Sequence, residues 1–217
     1  MRFIILQRQI DIYHISHIDN LASIIQENGL WSDSKRIERG LRYNKIGYQH
    51  IKDRRLRRPV AVAAGGFLGD YVPFYFAPRS PMLYTINKGS VPDYDEGQQP
   101  IVHLVSNVNI ILSTSAQFAF TDRHADLAWT AYSDDINQID NMVDFNIMQN
   151  RMWNNTSSDP DRMERRQAEF LVHHFFPWNN ITMIAVVNKK IAENVQVILQ
   201  TADYQPSIAL KPNWYYN

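Results

Sequence analysis

Tyr71-Val-Pro-Phe-Tyr-Phe-Ala-Pro-Arg-Ser-Pro-Met-Leu-Tyr84 is the stretch on which the fold turns. Its first half, Tyr71 to Ala77, is rich in aromatic and β-branched residues, the composition of a strand. Pro73 has no backbone donor, so this strand begins there or lies at an edge. Pro78-Arg-Ser-Pro81 then turns the chain into a helix, with Ser80 as N-cap and Pro81 at the first helical position. Working outward, Ile101 to Val105, Phe118 to Thr121, Ala168 to Phe176 and Ile181 to Val187 read as further strands. A helix from about Lys189 to Leu199 carries Ile191, Val195 and Ile198 at helical spacing, and a short strand follows near Ser207 to Leu210. Upstream, Ile12 to Ile15 is a short β-prone run. Ser16, or alternatively Asp19, caps a helix through Leu21, Ile24 and Ile25 that stops at Asn28-Gly29. Residues around Ile51 to Leu56 are helical, and Val60 to Gly69 is loop-like. Residues 121–163 are polar and rich in Asp and Asn. Some helix is expected between Asp134 and Arg151, but no compact core; long polar insertions are more often functional than structural. Strands outnumber helices without regular alternation, so the class is α+β.

The chain has 217 residues, 22 basic and 22 acidic side chains, no formal net charge and 45% apolar residues. That length and composition fit a single globular domain. Without cysteine, disulfides, thiolate zinc sites, iron–sulfur clusters and cysteine nucleophiles are excluded. The apolar run at Met1-Arg-Phe-Ile-Ile-Leu6 is too short for a signal peptide, and no stretch of about 18 apolar residues follows. A soluble, cytoplasmic protein with no membrane segment is the expectation.

Neutrality hides a basic window. Between Asp33 and Arg58 lie Lys35, Arg36, Arg39, Arg42, Lys45, Lys52, Arg54, Arg55, Arg57 and Arg58, against Asp33, Glu38 and Asp53. Such a run is either a solvated face or a phosphate-attracting surface. Trp31, Tyr43 and Tyr48 interleave with it and could stack on bases or belong to the core.

Glu169 is the sharpest chemical feature. It opens a strongly apolar strand, with Gln167 on its face and Ala168 and Phe170 on the other. A carboxylate withdrawn from water costs several kcal/mol unless paired or hydrogen-bonded. Its position therefore suggests either a chemical task or an ion pair with Arg165 or Arg166. His14, between Tyr13 and Ile15, is a satisfied core histidine or a catalytic group. No metal is expected: His14/His17 and His173/His174 lack a partner carboxylate pattern, and His-Glu-x-x-His is absent. The P-loop, the dinucleotide-binding glycine fingerprint and the serine elbow are absent too.

Several stretches together resemble the DarT family of bacterial DNA ADP-ribosyltransferase toxins. They are Tyr13-His-Ile-Ser-His-Ile-Asp-Asn-Leu21, Ile46-Gly47 with Ile51-Lys-Asp-Arg-Arg-Leu56, the 71–84 stretch, Phe120-Thr-Asp122 and Arg166-Gln-Ala-Glu-Phe-Leu-Val172. The resemblance implies an ADP-ribosyltransferase fold, a split, twisted β core with peripheral helices and an NAD⁺ cleft between two small sheets. NAD⁺ is then the substrate and a base of single-stranded DNA, thymine or guanine, the acceptor. Glu169 matches the family's catalytic glutamate, and Arg54 or Arg55 its catalytic arginine. His14, Ser16, Asn20, Tyr71, Tyr75 and Arg79 are implied on the NAD⁺ side, with Lys52, Tyr48, His124 and Arg166 on the DNA side. The polar stretch after Phe120 corresponds to the loop that shapes the substrate site, and the family pairs its toxins with a macrodomain antitoxin.

Chemistry agrees with that assignment. Loss of nicotinamide leaves an oxocarbenium-like ribose, which a carboxylate stabilises. A single strand exposes base edges that a duplex hides, and the basic window offers a track for its backbone. Two other readings stay open: the same fold acting on RNA or protein, and a binding module without turnover.

Overall fold

The computed structural model describes residues 6–217, so the Met1–Ile5 part of the N-terminal run lies outside the described residues. The first third of the chain holds β1 (Asp11–His17), α1 (Leu21–Gln26), β2 (Gly29–Trp31), α2 (Asp33–Glu38), α3 (Gln49–Arg55) and β3 (Tyr71–Tyr75). Next come α4 (Pro81–Asn87), β4 (Ile101–Asn107), α5 (Val108–Leu112), β5 (Phe118–Thr121) and β6 (Tyr132–Ser133). The rest comprises α6 (Ile139–Met142), α7 (Phe145–Gln149), α8 (Arg162–Arg165), β7 (Glu169–His173), β8 (Phe175–Pro177), β9 (Met183–Val186), α9 (Lys189–Leu199) and β10 (Ser207–Leu210).

Eight strands form one sheet in the order β10-β9-β4-β1-β3-β7-β5-β6, while β2 and β8 form a second, two-stranded sheet. Only β9 and β10 run parallel. The large sheet is split at its middle. β1 follows β4 from Asp11↔Asn107 to His17↔Ile101, and β3 follows β7 from Tyr71↔His173 to Tyr75↔Glu169. Between these halves, β1 and β3 share the single pair Tyr13↔Tyr75. The split thus lies within one continuous sheet rather than between two small sheets, and the two-stranded sheet is an accessory.

Pro73 explains the seam. A strand residue points its N–H and C=O to the same side, and the Pro73 carbonyl faces β1, where it accepts from His14 Nδ1 at 2.8 Å. The missing N–H therefore faces the gap, where no ladder forms, and pairing with β7 is untouched. The expected edge is an internal one.

Three local expectations change. Ser16 and His17 belong to β1, and His17, not Ser16 or Asp19, caps the short 3-10 turn before α1. The single strand read at 168–176 is broken at His174, whose backbone is left-handed at φ 60. Its N–H donates to Asp70 O at 2.7 Å and its carbonyl accepts from Ser32 N at 2.8 Å, which hands the chain from β7 to the second sheet. Residues 121–163 do carry core: Ile136, Ile139, Val143, Ile147, Met148 and Trp153 are buried in the main cluster. Many of the polar residues there are caps, for example Asp144, which accepts from Asn146 N and Ile147 N.

The main cluster covers one sheet face, where Ile12, Val72, Phe74, Leu104, Phe170 and Ile184 meet α5, the 136–153 segment and α9. Two smaller clusters stand apart from it. One gathers Ile15, Leu83, Ile86 and Tyr215, the other Leu68, Tyr71, Ala119 and Leu171. As expected, Ser80 caps α4 by accepting from Leu83 N at 3.1 Å.

Candidate active site

A cleft of ≈ 290 Å³ opens where β1 and β3 part, lined by both strands, by α3 and the 41–48 segment, and by the start of β7. Glu169 sits at its floor. It opens β7 opposite Tyr75, so strand pairing puts both side chains on one face. The carboxylate is 2% exposed. Its Oε1 accepts from Arg55 Nη1 at 3.1 Å and from Ala125 N at 3.0 Å, and its Oε2 lies 3.0 Å from Arg55 Nη2. Burial pushes the Glu169 carboxyl up, but the Arg55 charge and the Ala125 amide hold the group below its ordinary range. Burial likewise works against the Arg55 charge, and Glu169 more than restores it. Both groups are therefore charged at neutral pH.

The pair is not fully satisfied. Arg55 Nη2 is buried and makes no hydrogen bond of good geometry, so its contact with Oε2 is ionic. A buried donor left this way costs about 1–3 kcal/mol, which an oxygen of a bound substrate would offset. Thr121, at the end of β5, fixes the carboxylate from behind: its Oγ1 accepts from Glu169 N at 2.9 Å and donates to Arg123 O at 2.7 Å.

His14 stands across the seam. Its Nδ1 donates to Pro73 O, so Nε2 is the free acceptor of a neutral ring. Burial pulls its pKa down to about 4. Below it, Asn20 Nδ2 donates to Ser16 Oγ at 3.1 Å and to Asn44 O at 3.0 Å, while Asn20 Oδ1 accepts from Asn44 N at 2.6 Å. Asn20 thereby pins the 41–48 segment to the end of β1. Tyr75 keeps a neutral phenol because burial raises its pKa.

Of the residues implied by resemblance, His14, Ser16, Asn20, Tyr75, Tyr48, Lys52, Arg55, His124 and Glu169 all line the cleft. Lys52 and Tyr48, expected on the DNA side, stand on the same wall as Asn44; Lys52 Nζ donates to Tyr43 OH at 2.6 Å and Tyr48 OH to Ser90 O at 2.7 Å. His124 is half-buried and near Glu169, and burial lowers its pKa, so its ring is neutral at pH 7.

Four residues are not brought to the cleft. Arg54 faces outward, 60% exposed at its side chain, and donates through Nε to Asp126 Oδ2 at 2.6 Å. Adjacent helix residues point about 100° apart, so α3 can bury only one of the two arginines. Tyr71 is buried at the far end of β3, its hydroxyl donating to Gly65 O at 2.9 Å. Arg79 donates to Tyr215 O at 2.8 Å and lies over the Tyr216 ring. Arg166 is 2% exposed, with its guanidinium bonded to the carbonyls of Ile147, Asn150 and Arg79. Arg166 is thus buried beside the 147–150 backbone rather than lining the cleft. The ion pair considered for Glu169 with Arg165 or Arg166 is formed by Arg55 instead.

The basic window is also less free than its count suggests. Arg36 pairs with Asp33, Lys35 with Glu38, Arg39 with Glu27 and Arg54 with Asp126, so it is not a continuous backbone track. Sequence reasoning named Asp33 and Arg36 only as members of the basic window and Thr121 only within Phe120-Thr-Asp122, and it missed Asn44 and Ala125. Asp33 is one of three acids in that window; burial pushes its carboxyl up, but the Lys52 and Arg36 charges outweigh it and leave the group below the ordinary range. Among the described residues, no group of three or more His, Asp or Glu is placed to hold a metal ion. None of the helices there is long and apolar enough to cross a membrane.

A split sheet with a buried, arginine-held glutamate at its seam defines an ADP-ribosyltransferase, and solved structures bear out the class. Thermus sp. 2.9 DarT in complex with ADP-ribosylated ssDNA superposes with a TM-score of 0.89 at 36% identity, covering 99% of this chain and 100% of that one. The same protein in complex with NAD⁺ gives 0.85 at 35% identity, over 98% and 100%. A curated DNA ADP-ribosyl transferase from Thermus sp. (strain 2.9) is 39% identical over 207 residues, covering 94% of this chain and 95% of that protein. The family model "DarT: ssDNA thymidine ADP-ribosyltransferase, DarT" matches residues 13–216, and the chain belongs to that family.

Proposed function

We propose that this chain transfers the ADP-ribose of NAD⁺ to a thymine base of single-stranded DNA. The observation that carries the reading is Glu169, ionised and fixed at the cleft floor by Arg55 and the Ala125 amide. The family description favours thymine over guanine, the two bases the sequence left open. We read residues 1–217 as one catalytic domain in which the 122–131 loop shapes the acceptor side.

In this reading the bond between the ribose C1′ and the nicotinamide nitrogen breaks, its electron pair leaving with nicotinamide. Positive charge develops on the ribose. A fixed carboxylate beside it needs no reorganisation and acts in a water-poor site, the situation in which such stabilisation is largest. With its pKa held down, Glu169 is a better stabiliser of that charge than a base. His14 Nε2 is an acceptor for a ribose hydroxyl, and the free Arg55 Nη2–H is a donor for an oxygen of the ribose or the base. A ring nitrogen of the base then bonds to C1′ and loses its proton to an acceptor of the site. Glu169 or the neutral ring of His124 can take it. Arg36, Arg42 and Lys52, all on the cleft wall, suit the diphosphate.

A macrodomain antitoxin as partner and a cytoplasmic site of action belong to the same proposal, both on the family resemblance. Labelled NAD⁺ offered with single-stranded DNA, RNA or protein tests the acceptor. DNA labelling is expected, and labelling confined to RNA or protein would overturn the reading.

A further inference from the structure

The chain has five tryptophans, and Trp129 alone is exposed, at 61%. Trp153 and Trp178 are buried. Trp31 is half-buried, tilted against Phe175 and covered by Arg39, and Trp214 meets Tyr13 and His103 edge-on. Among the described residues, neither an aromatic ring nor a cation covers a face of Trp129. An exposed tryptophan leaves its apolar surface in water, and this one is held in place nonetheless.

Its position is fixed at both ends. The indole Nε1–H donates to Glu164 Oε2 at 3.0 Å, and Arg123 Nη1 holds that same oxygen at 3.1 Å. Glu164 lies in α8, one helical turn before Gln167, which lines the cleft. On the other side, Thr130 Oγ1 donates to His124 O at 2.6 Å and closes the loop on a residue that also lines the cleft. The loop is tied to α3 by Arg54 on Asp126, to the segment after α3 by Arg58 on Leu127 O, and to the catalytic carboxylate by Ala125 N. Trp129 therefore stands at the rim of the acceptor side, between His124 and Gln167, with its ring offered to solvent by a braced loop.

We propose that Trp129 is a stacking platform for the nucleotide next to the modified base in the single strand. The inference rests on the DNA-modifying reading above. Two features favour a nucleobase as the occupant. A flat ring with its polar edge already committed offers only its π faces, and base–aromatic stacking uses those faces without reading sequence closely. Arg57, exposed and unpaired by any acid among the described residues, also leaves a cation on the α3 side of the loop for the strand's backbone.

The test compares wild type, Trp129→Ala and Trp129→Phe on single-stranded oligonucleotides carrying one thymine. One set has purine or pyrimidine neighbours, and a second has abasic sites on either side of the thymine. KM for NAD⁺ is measured in parallel. Trp129→Ala is expected to raise KM for DNA about tenfold, with KM for NAD⁺ unmoved and with Phe restoring most of the loss. On the abasic-flanked strand the wild type is expected to lose its advantage over the alanine variant. An unchanged KM for DNA in Trp129→Ala, or the same loss on the abasic-flanked strand, would overturn the platform and leave the functional reading standing. A wild type that modifies no DNA would overturn both.

Discussion

The Arg55 guanidinium and the Glu169 carboxylate face each other at 3.0 and 3.1 Å across the floor of the cleft, from α3 and β7, elements 114 residues apart in sequence. Neither side chain is free to reorient: the arginine is 8% and the glutamate 2% exposed. The pair is charged, and one of its donors remains uncommitted. This combination is costly for folding and useful for catalysis, because breaking a buried pair from one side costs about 3–5 kcal/mol.

Substitution at Glu169 is therefore expected to differ by residue. Glu169→Gln keeps the shape and an acceptor for Ala125 N, and should fold while losing about 10²–10³ in transfer rate. Both variants strand the Arg55 charge, and Glu169→Ala also loses the acceptor for Ala125 N, so it should lower the melting temperature further. Thermal unfolding beside nicotinamide release separates the two effects. A fully active Glu169→Gln would refute the assigned role.

Arg54 and Arg55 should behave oppositely. Arg55→Lys loses the planar fork and is expected to reduce transfer by at least about tenfold with little change in fold, as read by circular dichroism. Arg54→Ala removes an exposed tie to the 122–131 loop and should affect KM for DNA more than kcat. A catalytic loss larger in Arg54→Ala than in Arg55→Lys would reverse the assignment.

Thr121 positions the glutamate without touching substrate. Thr121→Val removes the acceptor for Glu169 N and is expected to lower kcat while leaving KM for NAD⁺ in place, with about 1–3 kcal/mol of lost stability. Thr121→Ser should rescue it. If valine and serine behave alike, the hydroxyl has no positioning role.

Acid should destabilise the fold before any carboxylate titrates. Burial pulls both His14 and His103 down to about 4. Between about pH 6.5 and 4 the unfolded chain binds protons at these rings that the folded chain does not, so stability rises with pH across that window and is lost as pH falls. The fully buried His103 alone accounts for about 3 kcal/mol. Glu169, whose folded pKa is depressed, adds a further loss below its unfolded value of about 4.3. Urea denaturation at pH 7, 5.5 and 4 measures the slope; a flat profile would contradict the buried neutral histidines.

Much of the molecule was legible in its residues. Ser80-Pro81 marked the start of α4, Ile191, Val195 and Ile198 marked α9, and Ser207 to Leu210 marked β10, because caps and periodicity are local signals. The break at His174 was not legible: a left-handed histidine is set by bonds to Asp70 and Ser32, which are distant in sequence. The core of 136–153 was hidden by its polar composition, in which Asp135 and Asp144 cap short helical segments. Arg54 and Arg55 could not be told apart because a seven-residue helix (α3) gives too little periodicity to fix its phase. Tyr71, Arg79 and Arg166 had the right chemistry for a site, but backbone carbonyls outside the cleft take the Tyr71 hydroxyl and the guanidinium ends of both arginines. Thr121 stood in the Phe120-Thr-Asp122 stretch but nothing marked its hydroxyl as turned inward, and Ala125, which acts through its backbone, had no signal.

One measurement tests the central claim most directly. Purified protein is incubated with NAD⁺ and mixed-sequence single-stranded DNA, and the digested nucleosides are weighed by mass spectrometry, with Glu169→Gln alongside. The expected result is thymidine carrying one ADP-ribose, absent in the variant. Unmodified nucleosides with nicotinamide still released, or an adduct on another base, would contradict it.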